Sequence, residues 1–235
     1  MWVIKSISFL ILAIFYGVIP AKAQDVSLTK KEIKMGWALL FNGKTFDGWR
    51  QANGATFTGK GWKIENGVLS TNPENEHGAD IITDKEFSDF ELSIDFKLEK
   101  GTNSGVKYCL IKNTSLGCEY QLIDDANHPD AKLGRDGNRS LGAVYDILPP
   151  SAAKKSKPIG EWNTLKIILK NKHVEHWLNG KKILVYELES DDFKKHVDLS
   201  KFKTTKGFAE ANRSAILLQD HGDVIYFRNI KIREL

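Results

Sequence analysis

The chain has 235 residues, 41% hydrophobic and 27% charged, which is the composition of a folded globular protein and not of a disordered or fibrous one. Its 34 Lys and Arg stand against 30 Asp and Glu, leaving a net charge of +4, and no basic run is interleaved with aromatics. Nucleic acid is therefore a poor candidate partner.

Residues 1 to 23 read as a signal peptide. Lys5 supplies a positive start, 7 to 19 is an apolar run too short for a typical span, and Ala21-Lys22-Ala23 fits a small-x-small cleavage site. The expectation is an exported protein, periplasmic or extracellular, with no membrane span after cleavage. Residues 24 to 36 read as a loosely held entry segment, and 37 to 235 as one domain.

From 37 onward the chain reads as short strands and turns. Residues 37 to 41 are apolar and are followed by the turn signal Asn42-Gly43-Lys44; Phe46-Asp47-Gly48-Trp49 comes next. Asn66-Gly67, between alternating runs at 61 to 65 and 68 to 70, is a strong hairpin signal. A polar loop with His77 leads to a short strand at 80 to 83. Residues 87 to 98 alternate Phe90, Leu92, Ile94, Phe96 and Leu98 with polar residues, the pattern of a half-buried antiparallel strand.

The stretch from 103 to 146 is the most informative. Two strand patterns, 104 to 111 and 118 to 124, form a predicted hairpin. On the second, period-two geometry puts Glu119, Gln121 and Ile123 on one face and Tyr120, Leu122 and Asp124 on the other. A charge and an amide on one strand face are costly against a dry core and sensible against a wet cleft. The following loop carries Asp125, His128, Asp130, Arg135, Asp136, Asn138 and Arg139, and returns to a predicted strand at 141 to 147. A polar loop this long inside a compact domain reads as a site. The only cysteines, Cys109 and Cys118, lie on the hairpin arms. A two-residue turn would place them opposite each other for a disulfide, and a longer loop would not.

The last third repeats the pattern. Strands at 162 to 169, 173 to 178 and 182 to 188 include a second Asn-Gly turn, Asn179-Gly180. Residues 191 to 202 are a helix candidate with Phe193, Val197 and Leu199 on its apolar side. Strands at 215 to 219 and 224 to 232 flank the tight turn Asp220-His221-Gly222. Trp62, Trp162 and Trp177 read as core; His173 and His176, three apart on a strand, face opposite ways. About a dozen strands, one short helix and no helical crossover imply an all-β fold, an antiparallel β-sandwich of the jelly-roll type.

Several pieces in order also resemble the 3-keto-disaccharide hydrolase family. They include Leu40-Phe41-Asn42-Gly43-Lys44, Asn103-Ser104-Gly105-Val106-Lys107-Tyr108, the run from Glu119 to Asp125, His128-Pro129-Asp130-Ala131, His176-Trp177-Leu178-Asn179-Gly180 and Leu218-Gln219-Asp220-His221-Gly222. The resemblance implies a concanavalin-like sandwich acting on 3-keto-glycosides. A ketone at C3 acidifies the C2 proton; a base removes it, the C1 substituent leaves, and water can add to the resulting glucal. Such a site needs a general base, donors for the enolate oxygen and an acid for the leaving group.

On that expectation Glu119, Lys107, His221 and Asp124 are the catalytic candidates. Gln121, Asn138, Arg139, Tyr145 and His128 are candidates for holding substrate. Asp125, His128 and Asp130 are a possible divalent-metal set, though their spacing matches no specific ligand motif. No other cofactor is marked, so a separate sugar oxidoreductase is the expected source of the keto substrate. The alternative reading is a non-catalytic carbohydrate-binding module on the same scaffold.

Overall fold

The computed structural model describes residues 26 to 55, 57 to 71 and 78 to 235. The expected signal peptide and His77 lie outside these residues. Thirteen strands form two antiparallel sheets among them.

The larger sheet is built on β6 (Phe90–Leu98) and β13 (Ile225–Glu234), which pair with each other. On one side follow β9 (Asn163–Lys170), β10 (His173–Leu178) and β11 (Lys181–Glu187); on the other, β4 (Val68–Thr71) and β3 (Trp62–Glu65). A bulge between Arg228 and Lys231 divides β13. Its first part pairs with β4, and its second with β1 (Ala38–Leu39). Both Asn-Gly pairs form the expected hairpins, with Asn66 at φ 51° and Asn179 at φ 48°. Asparagine tolerates that left-handed conformation, and the twist of such turns matches the strands they join.

The smaller sheet runs β2 (Trp49–Gln51), β5 (Ile81–Thr83), β12 (Leu217–Leu218), β7 (Asn103–Tyr108), β8 (Cys118–Ile123). Alternation decides which side chains fill the sandwich. Phe90, Leu92, Ile94 and Phe96 meet Val106, Tyr108, Tyr120 and Leu122, all essentially without solvent exposure. A polar cluster between the sheets is satisfied internally. His176 donates from Nδ1 to the Gly142 carbonyl (2.9 Å) and accepts at Nε2 from the Tyr108 hydroxyl (2.6 Å), which is itself 2.7 Å from the Tyr186 hydroxyl.

The expected architecture is present, with local differences. The entry segment contains helix α1 (Lys30–Lys34), closed by a Thr29–Glu32 capping box and tied to β13 by the Glu32–Lys231 ion pair. The expected strand at 141 to 147 is a short edge piece. Gly142 N and Tyr145 N donate to Gln121 O and Glu119 O of β8, but Gly142 (φ 83°) and Asp146 (φ 63°) break the extended run. Helix α2 (Asp191–Asp198) stops before residue 202, and Leu199 is 64% exposed, so only Phe193 and Val197 belong to its apolar side. Trp62 and Trp49 are buried. Trp162 and Trp177 are half-buried and capped by cations, Arg228 at 4.1 Å and Lys166 at 5.3 Å from the respective rings. Cys118 pairs with Tyr108 across the hairpin, so the loop after Cys109 is far longer than two residues. Both thiols are free and buried.

Candidate active site

The outer face of β7 and β8 is polar because Asn103, Lys107, Glu119 and Gln121, at odd-numbered positions, point there. The register pairs Lys107 with Glu119 and Gly105 with Gln121. Over this face fold the segment after β8, the turn at 115 to 117 and the stretch after α2. Together they enclose a cleft of about 110 Å³ lined by Lys107, Glu119, Gln121, Tyr145, Lys201, Gln219 and His221, among others.

Glu119 is 7% exposed, and its carboxylate is 3.5 Å from Lys107 Nζ. Burial raises its pKa above the ordinary 4.5, against the opposing pull of the Lys107 and Lys201 ammonium groups. Assigned from its neighbours, the Gln121 amide nitrogen donates to Glu119 Oε1 at 3.0 Å. Room for the carboxylate comes from Gly105, where a Cβ would lie 2.2 Å from Glu119 Oε1. Lys107 also donates to the Ser115 carbonyl at 3.3 Å, which fixes its ammonium beneath the loop.

Lys201 joins from the stretch after α2. Its side chain is exposed overall, but its ammonium sits 4.2 Å from the centre of the Tyr145 ring. That partial burial lowers its pKa, while Glu119 acts to raise it. Burial and the nearby Asp130 carboxylate push the Tyr145 phenol up, so it stays protonated and can donate. His221 stands at the rim with its ring 6.4 Å from that of His128 in an edge-to-face arrangement. Asp220 holds its turn, accepting from Gly222 N (3.0 Å) and Gly78 N (2.7 Å).

Of the expected site residues, the fold thus brings together Glu119, Lys107, Gln121, Tyr145 and His221, with His128 beside His221. Asp124 is not in the cleft. It lies on the opposite strand face, where it accepts from Gly101 N, Ala126 N and the Asn127 amide. Burial acts to raise its pKa, but these hydrogen bonds prevail and lower it, as expected for a turn-closing carboxylate.

Asn138 and Arg139 are loop ties. Asn138 Oδ1 accepts from Arg135 N at 2.9 Å, and Arg139 donates to Asp146 and Asp130 at 2.7 Å each. Asp146 also accepts from Lys201 N at 2.7 Å, joining the loop to the segment that carries Lys201. The possible metal set is dispersed over separate partners. Asp125 takes Leu141 N and Lys154, Asp130 takes Arg139, and His128 Nδ1 accepts from Asp130 N. Among the described residues no three His, Cys, Asp or Glu side chains gather as metal ligands.

Sequence reasoning missed Lys201, Gln219 and Asn103 as cleft residues, and Gly105 as the space for the carboxylate. Lys201 had no local signal, because a loop delivers it to the site from outside the sheet. Gly105 was legible in principle, since it shares a strand face with Asn103 and Lys107; Gln219 was not, because its neighbour on the same strand face is Leu217.

Residues 36–233 match the family model described as a 3-keto-alpha-glucoside-1,2-lyase-like domain. The chain is 35% identical over 230 residues to a 3-keto-disaccharide hydrolase of Bacteroides thetaiotaomicron, covering 85% of this chain and 79% of that protein. Two crystal structures of candidate glycosyl hydrolases from Parabacteroides distasonis are also similar. One is 33% identical with a TM-score of 0.79, covering 90% of this chain and all of that one. The other is 30% identical with a TM-score of 0.67, covering 85% and 99%. The chain belongs to the 3-keto-alpha-glucoside-1,2-lyase-like family, carbohydrate-active enzymes built on a concanavalin-like sandwich.

Proposed function

We propose that this enzyme cleaves the glycosidic bond of 3-keto-glucosides by C2 proton abstraction and elimination. The observation that carries the reading is Glu119, the one carboxylate lining the cleft among the described residues, buried and set against Lys107 and Lys201. A glycosidase working through an oxocarbenium ion uses two carboxylates across the scissile bond. A single carboxylate beside two ammonium groups suits enolate chemistry instead.

In this mechanism Glu119 takes the C2 proton. Burial raises its pKa and makes it a stronger base than a free glutamate, while the Lys107 and Lys201 ammonium groups favour its ionised form. Negative charge then develops on the C3 oxygen, where Lys107 and Lys201 stabilise it, with the Tyr145 hydroxyl as a further donor. The enolate expels the C1 substituent, and His221 protonates the departing oxygen. Addition of water to the resulting glucal completes a net hydrolysis. The protein is exported through its N-terminal segment and receives its substrate from a separate sugar oxidoreductase, since nothing in the chain marks a nicotinamide site.

The test is release of a chromophore from a 3-keto-glucoside and from its unoxidised parent. Release from the keto sugar alone, reduced roughly 10²–10⁴-fold in Glu119→Gln, supports the reading. Release from the parent points to ordinary glycoside hydrolysis and contradicts it.

A further inference from the structure

Three residues stand abreast on the floor of the cleft. Gly105 is paired with Gln121 on β8, and on its other side Gln219 N donates to the Gly105 carbonyl at 3.0 Å. Glu119 Oε1 occupies the space above Gly105, and the Gln121 amide satisfies it from one flank. Gln219 lines the cleft on the other flank. Its Oε1 is buried, with no hydrogen-bond partner among the described residues. A buried acceptor without a donor is costly and rare in native proteins, and in a cleft it marks the place of a ligand's donor.

The chemistry of the proposed reaction names that donor. Glu119 takes its proton from C2, and the C2 hydroxyl is on that same carbon. It is therefore the substrate hydroxyl bound to lie closest to the base, beside the flank where Gln219 waits. The hydroxyl also decides the stereochemistry. In a glucose-configured ring C2–OH is equatorial and C2–H axial, and only the axial hydrogen is aligned with the carbonyl π system for enolisation. In the C2 epimer the two exchange places.

We infer that Gln219 accepts a hydrogen bond from the substrate's C2 hydroxyl and so selects glucose-configured over mannose-configured 3-keto-glycosides. This rests on the 3-keto-glucoside reading above. Gln219 becomes a substrate-contact residue that turns the correct C2 hydrogen toward Glu119, leaving Gln121 to orient the base.

The experiment compares kcat/KM of wild type and Gln219→Leu on a 3-keto-glucoside, its 2-deoxy and 4-deoxy analogues and its C2 epimer, all with one aglycone. Wild type loses about 10- to 100-fold on removal of the C2 hydroxyl. Gln219→Leu loses a similar factor on the parent and nothing further on the 2-deoxy analogue, a non-additivity that only direct contact produces. It also narrows the preference over the C2 epimer, while the 4-deoxy penalty is the same in both proteins. Gln219→Met serves if the leucine variant does not fold.

An undiminished 2-deoxy penalty in a folded variant overturns the inference, as does a wild type indifferent to the C2 hydroxyl. Absence of turnover on every keto sugar would count against the proposed reaction instead. Calorimetric binding of glucoside against 2-deoxyglucoside to wild type and variant would then decide the Gln219 contact. A 2-hydroxyl preference lost in the variant supports it, and one unchanged by the variant overturns it.

Discussion

Glu119 has its position because Gly105 has no side chain. A Cβ at 105 would lie 2.2 Å from the carboxylate oxygen and 2.8 Å from its Cγ. The flexible carboxylate would yield before the sheet did. Gly105→Ala is therefore expected to fold, with Tm close to wild type, yet to lose about 10²-fold in kcat because the base is displaced by an ångström or so. Circular dichroism with steady-state kinetics checks this; unchanged kcat would mean that the carboxylate's position is not critical. Glu119 itself was legible, since alternation along one strand places it with Gln121 on a polar face. Asp124 shows the limit of reading residue types. It is a carboxylate in the same stretch, but strand parity turns it away and four hydrogen bonds occupy it.

At the scale of elements, the site depends on holding a loop and a post-helical segment together over the sheet. Asp146 does this, accepting from Arg139 Nε and from Lys201 N. Asparagine tolerates the left-handed backbone that residue 146 adopts (φ 63°), so Asp146→Asn removes the charge without adding strain. The expected result is a loss of roughly 1–3 kcal/mol in stability. A fall in kcat/KM exceeding that of a distant surface variant is also expected, because Lys201 and Tyr145 lose their common anchor. Denaturant titration and kinetics on the same preparation measure both; full activity would remove Asp146 from the account. Hairpins were the most legible elements, because Asn-Gly states its own turn geometry. The segment at 141 to 147 was misread because its apolar residues are buried against β8 without an extended backbone. Lys201 was invisible because its role depends on where a loop ends.

For the molecule as a whole, the two sheets are packed around a polar seat that favours neutral His176. Burial lowers the His176 pKa from 6.5 to about 4, against the opposing hydrogen bond to Gly142. Between those values the unfolded chain binds a proton that the folded one does not. The stabilising contribution is present above pH 6.5 and is lost as pH falls toward 4. From pH 7.5 to 5.5 the loss is about 1.3 kcal/mol from this residue. His173 acts in the opposite sense, since its pairing with Glu187 and Glu175 raises its pKa, but it is exposed and screened. Comparing urea unfolding of wild type with His176→Asn, which keeps a donor for Gly142, isolates the contribution. Parallel pH dependences would contradict it. The sandwich was legible from alternation alone. The Tyr108–His176–Tyr186 seat was not, because it joins strands from two sheets that are distant in sequence.

In the proposed reaction Glu119 removes the C2 proton. The direct measurement is the isotope effect on kcat/KM for a 3-keto-glucoside carrying deuterium at C2, with solvent-proton exchange at C2 followed by NMR in wild type and Glu119→Gln. A primary isotope effect or C2 exchange in wild type, with both exchange and turnover lost in Glu119→Gln, is the predicted result. Aglycone release with no isotope effect and no exchange at C2, or C2 exchange persisting in Glu119→Gln, would contradict it.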